Sequence, residues 1–165
     1  MHESWQTRLA RWRFNTFPAY RGSGGRVTFI SHDWMEVRVK LPLWWRTRNY
    51  VGTIYGGSIY GSIDPFYMMM LIQTLGRGYV VWDKAASIRF RRPGRTTLYA
   101  TFRIDESLLE EIRRELETVD KLDKHFTVEL KDDAGVVHAI IEKTVNVRLA
   151  RKKHEPRGSQ SGQGT

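Results

Sequence analysis

The sequence predicts an α+β fold, with a mostly antiparallel β-sheet wrapped around a long central α-helix and a short helix in front. Three observations predict it. Residues 57 to 75 are too many for a strand and apolar on nearly every side, which reads as a helix buried all round. The segments on either side alternate apolar and polar residues, the mark of strands with one wet face. The chain is 165 residues long, which suits one domain with one core. The expected division is an N-terminal helix and loop over 1–24, the main domain over 25–150, and a disordered basic and polar tail over 151–165.

Taken in order, residues 3 to 17 read as an amphipathic helix. Trp5, Leu9, Trp12 and Phe14 share its inner face, and Arg8, Arg11 and Arg13 look outward. Pro18 ends this helix, and the glycine-rich segment from Tyr20 to Gly25 reads as a loop. Trp34 to Leu41 alternates as a strand, with Val27 to Ile30 as its hairpin partner. The central helix follows, with Gly76 as its stop. Val80 to Arg92 and Thr97 to Asp105 are the next strands, with the turn at Pro93-Gly94. Ser107 to Glu117 is a charged helix, with Ser107 and Glu110 at capping-box spacing. Phe126 to Lys131 and Val136 to Leu149 form a hairpin around Asp132-Asp133-Ala134-Gly135.

Composition removes several chemistries. There is no cysteine, hence no disulfide, thiolate metal site or cysteine nucleophile, which fits a reducing cytoplasm. His2, His32, His125, His138 and His154 show no ligand spacing, so no metal is expected. No G-x-S-x-G elbow is present. The N-terminal segment has the charge of a surface helix and no signal-peptide pattern. Val51 to Leu75 is interrupted by glycines and Pro65, so no membrane span is expected. The net charge is +9, and Arg148, Arg151, Lys152, Lys153 and Arg157 against Glu155 supply much of it. Such a balance favours anionic partners, but no nucleic-acid module is recognisable and no nucleic-acid partner is expected.

One constellation carries chemistry. Asp64 is the only formal charge from Val51 to Leu75. Burial of a lone carboxylate is costly, and such groups cluster at functional sites. Upstream, Gly56-Gly57 permits close backbone approach, and a helix starting there would offer free N–H groups to an oxyanion. Asn49 adds a side-chain amide.

The run from Asn49 to Asp64, with Gly52-Thr53 and Gly56-Gly57 in step, resembles the signature of hotdog-fold acyl-CoA thioesterases of the phenylacetyl-CoA type. With Asp83-Lys84 and Ser87 downstream, it is closer still to a hotdog subgroup classed as a domain of unknown function. The resemblance spans about residues 25 to 149. It implies a homodimer, in some members a tetramer, with sheets joined edge to edge and each site at the subunit interface. The substrate would be an acyl-CoA, with coenzyme A entering only as part of it and no separate cofactor. Asp64 from the neighbouring protomer would act as base or nucleophile. The Gly57 amide would hold the carbonyl oxygen, and Asn49 would orient it or the water. Thr53, Tyr55, Gly56 and Ser58 fall at substrate-binding positions. Lys84, Arg89, Arg91 and Arg92 are the candidates for the coenzyme A phosphates.

Two departures stand out. Tyr55 occupies the position of the family's histidine, and an unperturbed phenol with a pKa of about 10 is a poor proton shuttle. Pro65 follows Asp64 and lacks a backbone N–H. They motivate the alternative, a non-catalytic hotdog protein that binds an acyl-CoA or fatty acid. Asp64-Pro65 also has a plain structural reading, an N-cap followed by the first helical residue.

Overall fold

A computed structural model describes residues 2–150. The expectation of a disordered tail over 151–165 lies outside the described residues.

The elements in chain order are α1 (Trp5–Thr16), α2 (Pro18–Ser23), β1 (Arg26–Ile30), β2 (Glu36–Leu41), α3 (Gly56–Gly61), α4 (Phe66–Leu75), β3 (Tyr79–Phe90), β4 (Leu98–Arg103), α5 (Glu106–Glu115), β5 (Lys121–Lys131) and β6 (Val137–Leu149). The six strands form one antiparallel sheet in the order β1-β2-β4-β5-β6-β3. The apolar helix α4 packs on its inner face, burying Phe66, Tyr67, Met70 and Leu71 against residues such as Phe102, Val128 and Ile141.

The sheet wraps the helix by splaying. β4 and β5 pair only at Tyr99 and Lys131, so their ladder opens above α4. Tyr67 sits beside the opening, its ring between Phe102 and Phe126. Its hydroxyl donates to the β5 carbonyl of Thr127 at 3.1 Å. That bond answers the backbone accounting for a strand lacking a neighbour. Burial pushes the phenol up to about 12.

The central helix expected over 57–75 is interrupted. α3 ends at Gly61, the turn Ser62–Pro65 follows, and α4 starts at Phe66. Pro65 is the reason, because it cannot donate to the carbonyl of Gly61. The inner face expected for the first helix is also corrected. Trp5 is 71% exposed, Trp12 62% and Leu9 38%, whereas Thr7 is buried and Ala10 and Phe14 pack on the core. Polar stitching to β1 sets this rotation. Asn15 exchanges two 2.9 Å hydrogen bonds with the backbone of Val27, and Glu3 accepts from the Ile30 amide at 3.0 Å. These side chains occupy backbone groups of an edge strand that would otherwise be unpaired. Thr7 is held by reciprocal capping bonds with Ser4.

Smaller differences have similar local causes. Pro18 ends α1 but serves as the first residue of α2, where loop was expected. Asp105, not Ser107, caps α5, accepting from the Leu108 amide at 2.9 Å. β2 starts late because Trp34 turns the chain with φ 61, a backbone region uncommon for bulky residues.

Candidate active site

The loop before α3 is tied down by its own side chains. Asn49 Oδ1 accepts from the amides of Val51 at 3.1 Å and Thr53 at 3.0 Å, and its Nδ2 donates to Thr53 Oγ1 at 2.9 Å. Gly52 closes the turn with φ 81, a conformation glycine adopts without steric cost. Two backbone bonds then dock the loop. Ile54 N donates to Gly94 O at 2.8 Å, and Tyr55 N to Thr47 O at 2.7 Å.

Between this loop and the end of β3 lies a cleft of about 340 Å³, lined by Asn49, Thr53, Gly56, Phe90, Arg91 and Arg92 among others. Its outer wall is fixed from below by His138. Arg91 N and Arg92 N both donate to the His138 carbonyl, at 2.8 and 3.2 Å. The His138 ring bridges Pro93 O at 3.1 Å and Asp132 Oδ2 at 3.0 Å. That imidazole, with backbone amides, holds the Asp132 carboxyl below the usual range.

Two aromatic rings lie close over the glycine pair. A Cβ on Gly56 would lie 3.0 Å from Cζ of Phe90, and one on Gly57 would run into the ring of Tyr55. Gly57 is exposed at the start of α3, and no side chain caps that helix.

Asp64 is elsewhere. It does not line the cleft, and its side chain is 45% exposed rather than buried, which corrects the premise of a carboxylate enclosed by apolar residues. Nor does it close its own helix, because α4 has no side-chain cap. Instead it meets Lys143, which sequence reasoning missed. The Lys143 side chain is 0% exposed, and its Nζ lies 3.1 Å from Asp64 Oδ1 and 2.7 Å from Asp83 Oδ2. The ammonium also donates to the Asp64 backbone carbonyl and faces the ring of Tyr60. Burial pushes the Asp83 carboxyl up, against the pull of Lys143, and Asp83 Oδ1 is buried without a partner. Burial first, then the Asp64 carboxylate, raises the Tyr60 phenol.

A signal for Lys143 did exist. In β6, Ala139, Ile141, Val145 and Val147 all face the core, and Lys143 sits in the middle of that row. A lysine in phase with buried residues needs acidic partners. One of them, Asp83, stands beside an irregularity in the β3–β6 register between Asp83 and Ala85, of the kind that re-aims side chains.

The four basic candidates separate into two pairs. Lys84 Nζ lies 2.5 Å from Asp123, and Arg89 lies 2.7 Å from Glu142, so both charges are answered within the sheet. Arg91 and Arg92 line the cleft and make no ion pair among the described residues. Thr53 and Ser58 are buried, and Tyr55 is exposed. No group of three or more metal-binding side chains converges among the described residues.

Residues 7–147 match the family model "Domain of unknown function (DUF4442)". No curated protein matches the chain. Among solved structures, the chain is similar to a Pseudomonas aeruginosa protein of unknown function described as a probable thioesterase, at 22% identity and TM-score 0.77, covering 91% of this chain and all of that one, 100%. It is also similar to a protein of unknown function from Chlorobaculum tepidum, at 15% identity and TM-score 0.68 over 86% and 93% of the two chains. A thioesterase from Haemophilus influenzae matches at 12% identity and TM-score 0.65 over 93% and 97%. At these identities the likeness carries the fold, which is the hotdog arrangement of a curved antiparallel sheet around an apolar helix.

Proposed function

The chain belongs to the DUF4442 family of thioesterase-like hotdog proteins, and we propose that it is an acyl-CoA thioesterase whose site is shared between two copies. The observation that carries this reading is Asp64, held partly exposed by a fully buried lysine and not used to cap a helix. A carboxylate so held, facing outward, is suited to act on something brought from outside the chain.

The edge strands support the second copy. β1 is covered by Asn15 of α1 and by Glu3 just before that helix, whereas β3 is 12 residues long, largely exposed, and carries Val80, Trp82 and Phe90 on its surface. A long uncovered edge is a template for pairing. Joined there, one copy would bring Asp64 toward the Asn49 cleft of the other.

In the proposed reaction, the Asp64 carboxylate takes a proton from water as its oxygen attacks the thioester carbonyl. The Gly57 amide donates to the resulting oxyanion, and the second hydrogen of Asn49 Nδ2 orients the carbonyl. Collapse expels the coenzyme A thiolate, which takes the proton back from Asp64 and leaves the free acid. Arg91 and Arg92 receive the phosphates. Asp64→Asn tests this with a panel of acyl-CoA substrates. Turnover should fall by about a hundredfold or more with the fold intact; unchanged turnover removes Asp64 from the mechanism.

The alternative is an acyl-thioester binder without hydrolysis. It is favoured by one observation, that Asn49 spends most of its hydrogen-bonding capacity inside its own loop. Binding of acyl-CoA with no free coenzyme A released by the wild type would establish it.

A further inference from the structure

We infer that the outer face of α1 docks the protein onto anionic lipid membranes. Trp5, Leu9 and Trp12 recur at helical spacing on one stripe, yet all three face solvent. Exposed Phe17 continues the stripe at the end of the helix. A run of large apolar side chains on the wet side of a helix is the informative exception to ordinary surface composition.

The charges beside the stripe have one sign. Residues 4–32 contain Arg8, Arg11, Arg13, Arg21 and Arg26 and no aspartate or glutamate. Arg11 is paired with Glu3 at 2.9 Å, whereas exposed Arg8 and Arg13 flank the stripe with no ion pair among the described residues. Tryptophan and phenylalanine at headgroup depth, with arginines reaching to phosphates on either side, is the pattern of a helix lying in a membrane interface. Anionic lipid complements this charge, and a neutral bilayer would not.

The neighbouring surface fits acyl chains. A groove of about 550 Å³ opens beside the stripe between α1 and α4, with Phe14, Phe17, Trp34 and Met69 among its walls. Trp34, in its left-handed turn, lines that groove. No helix of the described residues is long and apolar enough to cross a membrane, so the contact proposed is with the surface. It is independent of the thioesterase reading.

The test is sedimentation of the full chain with vesicles of phosphatidylcholine containing phosphatidylglycerol, against vesicles of phosphatidylcholine alone. Binding should favour the anionic vesicles, weaken with salt, and fall about tenfold in Trp5→Ser/Trp12→Ser and several-fold in Arg8→Gln/Arg13→Gln. Thermal unfolding of each variant checks the fold, which these exposed residues should leave unchanged. Neutralising Arg151, Lys152 and Lys153 to Gln should cost less than the tryptophan change. Equal binding to both vesicle types, no binding to either, or wild-type binding by the tryptophan variant overturns the proposal. A tryptophan variant that loses self-association while keeping its vesicle affinity assigns the face to a second copy instead.

Discussion

The Asn49 cleft and the Asp64 cluster are built in opposite ways. The cleft is assembled from backbone: a loop folded by one asparagine, two docking amides, and a strand end hung on the His138 carbonyl. The cluster is assembled from charge: one ammonium with no exposure, two carboxylates and a phenol. The first provides shape and donors but no base. The second provides a base, and its Asp64 stands outside that cleft. Each half lacks what the other supplies, and that difference motivates a site completed between two copies.

The largest expected effect comes from separating the halves deliberately. Asp64→Asn and a cleft-filling Gly56→Val should each be inactive alone. Unfolded and refolded together, they should recover about a quarter of wild-type turnover, because half of the dimers would hold one intact site. No recovery from correctly folded mixed dimers would mean that both halves serve a site within one chain.

Next is stability. Lys143→Met should lower the unfolding free energy by about 3 kcal/mol, because it leaves the half-buried Asp83 without its cation. Asn49→Ala should cost about 1–2 kcal/mol through the lost loop bonds. Denaturant titration checks both, and a Lys143 variant as stable as the wild type would remove the electrostatic account of the cluster.

The arginines give a smaller, more specific effect. Arg91→Glu/Arg92→Glu should raise KM for acyl-CoA about tenfold or more while largely sparing kcat. Arg89→Gln should do little, since Glu142 already answers that charge. The reverse ranking would move the phosphate site onto the sheet.

The smallest effect is pH dependence. Burial drives the Asp83 carboxyl above its ordinary range, so its share of stability is complete below the unfolded carboxylate pKa and declines as pH rises through the folded value. Glu36 has the opposite sign. Burial raises it, but hydrogen bonds from Arg103 and Arg38 outweigh that and hold it low. Its contribution is present above the unfolded pKa and is lost as pH falls through the folded one. Denaturant midpoints for Asp83→Asn and Glu36→Gln across the acid range should therefore diverge from the wild type in opposite directions.

Much of the fold was legible in the sequence, because its signals are local. Strand alternation, Pro93-Gly94, the Asp132–Gly135 turn and the apolar run of α4 each depend on neighbours a few residues apart. The Asn49 loop was legible as a motif for the same reason. Burial of Asp64 was misjudged because sequence neighbours do not fix the solvent above a side chain.

By itself, the sequence determined the main strands and their turns, the apolar run of α4 and the glycine pair beside Tyr55, whereas the split of the central helix before Pro65 and the short α2 appeared only in the fold. Only the tertiary structure decided that Lys143 meets Asp64 across 79 positions of chain, and that α1 turns its tryptophans outward. Both depend on long-range partners, a buried charge seeking carboxylates and an edge strand seeking hydrogen bonds. No periodicity along the chain records where such partners will be found.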